Sequence, residues 1–119
     1  MSYNMAFSEE MNQKAKDAAI KFLRRKEYEI LERDCKFDVV AQDKNGSIVF
    51  IDIFLQDTLK ESPLSRTRIE TDMVRELVNH IEWTDYPVRY DTIIVLTLGD
   101  RALLKHHLNA ISTPTCEDD

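Results

Sequence analysis

The sequence predicts an α/β domain in which helices flank a mixed central sheet. Three observations predict it. Two apolar runs, Ile48–Leu55 and Tyr90–Leu98, read as strands covered on both faces. An amphipathic stretch of helical period lies between them, long enough to connect parallel neighbours. Before the first run, Asp43-Lys44-Asn45-Gly46 reads as a hairpin turn joining antiparallel strands. The 119 residues suffice for one domain, with a core from about 8 to 111 and a short acidic tail over 112–119.

Ser8 is a suitable helix N-cap, and Glu9 and Glu10 follow in the first turn, where the helix dipole favours acids. Met11, Ala15, Ala18, Ala19 and Phe22 recur at helical spacing, predicting a helix over 8–26. Strands follow over 28–33 and 37–41, and the third over 48–55. Gln56 to Glu61 reads as a loop. Ser62-Pro63 opens a helix whose stripe of Ile69, Met73, Leu77, Val78 and Ile81 carries it to Glu82. Tyr86-Pro87 breaks the chain before the strand over 90–98. Gly99-Asp100 ends that strand and starts a last helix bearing Leu103, Leu104, Leu108 and Ile111. The expected order is therefore α-β-β-β-α-β-α.

Composition narrows the function classes. A net charge of −6 argues against tight, nonspecific nucleic-acid binding, while leaving room for a local basic groove. No apolar run approaches the ~18 residues of a membrane span, and the first residues lack the basic and apolar parts of a signal peptide. No membrane partner is expected. Cys35 and Cys116 are too few for a disulfide framework, so a reduced cytoplasmic setting is expected. His80, His106 and His107 show no metal-ligand spacing and read as solvated or structural. Trp83 is expected to pack at its helix end. Lys21, Arg24, Arg25 and Lys26 could touch phosphates, but such a cluster is more often the wet face of its helix.

Asp52 is the anomaly, because Phe50, Ile51, Ile53 and Phe54 surround it. A buried carboxylate is costly unless paired, hydrogen-bonded or bound to metal. A three-residue loop of Lys44-Asn45-Gly46 pairs Asp43 with Ser47 and, counting back along both strands, Asp38 with Asp52. The two acids then share a face with Cβ atoms roughly 5 Å apart. A two-residue loop would put them on opposite faces. Facing carboxylates can hold Mg²⁺ or Mn²⁺ and so activate water against a phosphodiester. The alternative is that Asp38 ends at the solvent-facing lip while Asp52 pairs with a nearby Lys or Arg.

The ordered pattern of Ala15–Leu23, Tyr28–Arg33, Phe37–Ala41, Ile48–Phe54 and Arg89-Tyr90-Asp91 resembles the YraN-like proteins. These are small bacterial proteins related to Holliday-junction resolvases and restriction enzymes, with a PD-(D/E)xK type site. The likeness spans about residues 12 to 96 in spacing and hydrophobic pattern. It implies a restriction-endonuclease-like fold, with Asp38 and Asp52 as metal ligands and as catalytic groups. It also implies losses. The family's helix Glu falls on Lys16, the second-strand Glu on Lys36, and the third-strand lysine on Phe54. In the register above, Lys36 lies opposite Phe54 and could return the missing ammonium. Arg66 and Arg68 are candidates for binding phosphate.

Two functions follow. One is a catalytically impaired nuclease-fold protein that binds nucleic acid or protein. The other is a Mg²⁺- or Mn²⁺-dependent endonuclease acting on branched or single-stranded nucleic acid. Charge, Phe54 and the two Glu-to-Lys departures favour the first. A dimer is compatible with either.

Overall fold

The computed structural model describes residues 2–55, 65–98 and 101–110. Helix α1 spans Ser2–Arg25, and strands β1, β2 and β3 span Glu29–Arg33, Val39–Gln42 and Ile48–Leu55. Helix α2 (Arg66–Asn79) and a 3-10 turn (Ile81–Asp85) lead to β4 (Val88–Leu98) and β5 (Arg101–His107). The five strands form one sheet in chain order. Neighbours are antiparallel except β3 and β4, which run parallel across the α2 connection. This is the mixed α/β arrangement expected from the two buried runs. No helix among the described residues is long and apolar enough to cross a membrane.

The sheet is covered on both faces. Ala15, Ala19, Ile20 and Leu23 of α1 pack on Val39, Ala41, Val49, Ile51, Ile93 and Val95. On the other face Ile69 of α2 and Trp83 of the 3-10 turn pack on Val40, Ile48, Phe50 and Tyr90. Alternation along each strand divides the two clusters, which is why Ile48–Leu55 is apolar throughout. Each large apolar side chain so buried contributes roughly 1.5–3 kcal/mol.

The hairpin register is the one that the turn residues predict. Val39 pairs with Ile51, Val40 with Phe50, Ala41 with Val49 and Gln42 with Ile48. The Asp43 N–H donates to the Ser47 carbonyl at 3.0 Å, and Gly46 is left-handed at φ +94. A Cβ on Gly46 would meet only a Tyr86 ring carbon at 4.0 Å, so space is not the constraint. Backbone strain is. Gly46→Val is therefore expected to lose about 1–3 kcal/mol in urea unfolding, and Gly46→Asn much less. A valine variant as stable as the parent would refute this account of the register.

Three expectations need correction. Helix α1 starts at Ser2, so Ser8 lies inside it and is no cap; nothing in Tyr3 to Phe7 breaks a helix. Ser65 caps α2, its hydroxyl accepting from the Arg68 N–H. The stripe beyond Asn79 tightens into the 3-10 turn, which buries Trp83. The expected last helix is strand β5. Leu104 and His106 alternate inward, pairing with Val95 and Ile93 of β4. An eleven-residue β4 would otherwise present an unpaired edge. Expectations placed on 56–64, Gly99-Asp100, Ile111 and the 112–119 tail, Cys116 included, lie outside the described residues.

Candidate functional site

Asp52 stands on β3, on the sheet face that carries Phe50 and Tyr90. Asp38 is the residue before β2. The two meet as the hairpin register requires. The Asp38 N–H donates to Asp52 Oδ1 at 3.2 Å, and the Ile53 N–H donates to Asp38 Oδ2 at 2.7 Å. The Asp38 carboxylate thus supplies the acceptor that β2 would have offered had it continued. The Tyr90 hydroxyl donates to Asp52 Oδ2 at 2.9 Å.

A cation reaches the pair from the helix. Lys16 Nζ lies 3.3 Å from Asp38 Oδ1 and 2.8 Å from Asp34 Oδ1. The bond to Asp34 is the main reason that the Lys16 ammonium titrates above its ordinary value, with Asp38 adding to it against partial burial. Each of the four carboxylate oxygens of Asp38 and Asp52 therefore has a protein partner. Burial pushes the Asp52 carboxyl up to about 6. The Tyr90 hydrogen bond works against that shift, while the charges of Asp38 and of Asp72 on α2 reinforce it. Burial, with Asp52 beside it, also moves the Tyr90 hydroxyl well above the usual phenol value.

The remaining sequence candidates sit around this centre without joining it. Lys36 is exposed in the 34–38 connection, and the paired ladder ends at Val39 and Ile51. The Asp34 N–H donates to the Asp38 carbonyl and the Cys35 N–H to the Phe37 carbonyl. These bonds turn the chain out of the strand before Lys36 can pair with Phe54, and the Lys36 N–H points instead at Glu76 on α2, 3.4 Å away. Phe54 is half-buried, paired with Ile94. Arg66 and Arg68 are exposed on the first turn of α2, and Arg66 bonds Glu70 at 3.3 Å. Among the described residues, no three His, Cys, Asp or Glu are grouped to hold a metal ion.

A second polar centre escaped the sequence reading. Asp91 is 0% exposed. It accepts from Arg89 Nε at 3.0 Å, Arg89 Nη2 at 3.2 Å, the Asn109 N–H at 3.0 Å and His106 Nε2 at 2.8 Å. Arg89 also donates to Asp43 at 2.6 Å and to the Tyr28 hydroxyl at 2.8 Å. Burial alone would raise the Asp91 carboxyl, but the bonds from His106 and Arg89 outweigh it and hold the group below its ordinary range. The signal was present. Arg89 and Asp91 are two apart on a strand, hence on one face, at the head of an apolar run. His106 was expected to be solvated or structural, and it is the buried partner of Asp91.

Comparison with protein-family models and with curated proteins returns no match. The chemistry of the site therefore rests on its own residues.

Proposed function

We propose that this chain is a restriction-endonuclease-like domain that has lost catalysis and serves as a binding module for nucleic acid or protein, in a reduced cytoplasmic setting. The order of helix, three-strand meander, helix and parallel strand supports the scaffold part of this reading. So does the facing of Asp38 and Asp52. The observation that carries the loss of catalysis is the Lys16 ammonium. It sits 3.3 Å from Asp38, where a cation shared by the two acids would have to compete with it. A lysine at that point supplies the positive charge that a divalent ion would bring, but no open coordination positions and no bound water to activate. The residues present do not suit Mg²⁺ or Mn²⁺, and no hydrolytic step is assigned to them.

Arg66 and Arg68 are the phosphate contacts that this reading offers, and a net charge of −6 keeps binding selective rather than general. Calorimetry with Mg²⁺ and with Mn²⁺ tests it. The parent protein is expected to take up neither at millimolar concentrations. Lys16→Glu, which restores the acid that the resemblance implies, is expected to bind. Binding by the parent that vanishes in Asp38→Ala/Asp52→Ala would overturn the reading. It would leave the metal-dependent endonuclease, with Lys16 or Lys36 in place of the lysine lost at Phe54.

A further inference from the structure

On the opposite face of the sheet from Asp52, three turns converge. They are the end of α1, the β2–β3 turn and the turn after β5. A cavity of about 400 Å³ opens between them, lined by Lys26, Lys44, Asn45, Arg89, Leu108 and Asn109, with Tyr28 and Asp43 completing the wall. The volume falls in the range of roughly 300–1,000 Å³ typical of small-ligand sites. Each turn is held in a left-handed conformation, at Glu27 (φ 70), Gly46 (φ 94) and Asn109 (φ 53). For Glu27 that conformation costs on the order of 1 kcal/mol and needs support from its surroundings. Arg89 supplies support to all three turns, through Tyr28, Asp43 and, by way of Asp91, the Asn109 N–H.

Donors and acceptors at this cavity do not balance. Asp43 spends Oδ1 on the Asn45 and Ser47 N–H groups and Oδ2 on Arg89. Asp91 takes four donors. With Nε2 of His106 donating to Asp91, its Nδ1 becomes an acceptor, and Lys26 Nζ approaches it to 3.5 Å. Lys44 has Glu27 at 4.0 Å, both side chains being exposed. Tyr28 accepts from Arg89 and keeps its own proton to give. The acceptors are thus spent internally. Lys26 Nζ keeps only the long contact with His106 and the Phe22 ring at 4.9 Å, Lys44 only the long contact with exposed Glu27, and the Tyr28 proton has no acceptor among the described residues, so these donors are available to an anion in the cavity.

We propose that this cavity is a phosphate-binding site. Lys26 and Lys44 grip the anion from two different turns, Tyr28 and the asparagine amides donate to its remaining oxygens, and Leu108, 57% exposed at the rim, meets the organic part. The inference is independent of the loss of catalysis argued above. The phosphate could belong to a small phosphorylated molecule or to a nucleic-acid strand, and the experiment separates these sources. Inorganic phosphate, adenosine monophosphate and a single-stranded oligothymidylate are titrated by calorimetry into the parent and into Lys26→Ala/Lys44→Ala. Both lysines are exposed, so the fold is not at stake. Lys14→Ala/Lys21→Ala, on exposed positions of α1 outside the cavity, controls for the same loss of charge. Binding of phosphate and the mononucleotide, weakened at least about tenfold in Lys26→Ala/Lys44→Ala alone, supports a small phosphorylated ligand. The same pattern with the oligonucleotide only supports a strand phosphate. No binding by any probe at millimolar concentration, or equal weakening in the control, overturns the proposal.

Discussion

Arg89→Met is expected to lower stability by about 3–5 kcal/mol, the usual result of removing one partner from a buried ion pair. The reason lies in what stays behind. Asp91 is fully buried, and its side chain has no route to water once the guanidinium has gone. Asp43 would lose its partner at 2.6 Å, and Tyr28 its donor. The loss is not one bond but the tie between β4, the β2–β3 turn and the end of α1. For a domain of this size the melting temperature should fall by roughly 4–8 °C per kcal/mol. Asp91→Asn is expected to be less damaging, because the amide keeps the shape and one acceptor. The double variant should lose clearly less than the two single losses together, since the second change removes a charge that the first has stranded. Urea unfolding of the four proteins gives the cycle. Additive losses, or a loss under about 1 kcal/mol for Arg89→Met, would show that water or a rearranged lysine reaches Asp91 and that the network is not the tie described. Low pH offers a second check. The Asp91 and Asp43 carboxyls are held below their ordinary range, so their contribution is complete above the unfolded value and fades as pH falls below it.

How the sequence discloses some of this and conceals the rest follows from the range of the interactions involved. Asp52 is legible because a carboxylate inside Phe50–Phe54 violates a local rule, and its partner is reached through a turn three residues long whose glycine sets the register. Asp91 violates the same rule. Yet two of its partners, His106 and Asn109, lie more than a dozen positions away, on a segment whose leucines fit a helical stripe as well as a strand. A short apolar run does not separate the two, and here the open edge of β4 decides. Lys16 is a further case. From the sequence it is the residue on which the helix Glu of the resembled family falls, and only the packing of α1 across the sheet brings its charge to Asp38. Lys36 shows the reverse. Its position opposite Phe54 is correct counting along an ideal ladder, and the ladder stops three residues too soon, at Val39, while Asp34 takes a left-handed conformation (φ 56) and turns the chain. Local rules gave strands β1 to β4, the hairpin and the mixed α/β layout, but not β5. Which cation attends which acid depended on tertiary contact.

Asp52→Asn is expected to stabilise the protein at neutral pH and to leave it unchanged in acid. The sign follows from the direction of the shift. In the unfolded chain an aspartate releases its proton near about 4, whereas folded Asp52 holds it up to about 6. Between these values the native state binds more protons than the unfolded one, so stability falls as pH rises and has fallen by about 2–3 kcal/mol above the folded value. The groups that set this are Asp38 beside it, Asp72 above it on α2, the Tyr90 hydroxyl, and Lys16, whose ammonium is spent on Asp38 and Asp34. Asparagine removes the charge without breaking the contacts. Its oxygen still accepts from the Asp38 N–H, and its amide donates to the Tyr90 oxygen, which serves either role. Urea unfolding of parent and variant at pH 4 and pH 7.5 should therefore give equal stabilities in acid and a gain of up to about 2 kcal/mol for the variant at the higher pH. A variant less stable than the parent at pH 7.5 would mean that the ionised carboxylate is welcome where it stands. Repeating the measurement with Mg²⁺ present connects this to function. An ion that bound Asp52 would stabilise the parent and not the variant, reversing their order. An order that does not change with Mg²⁺ is what a site closed by its own lysine requires.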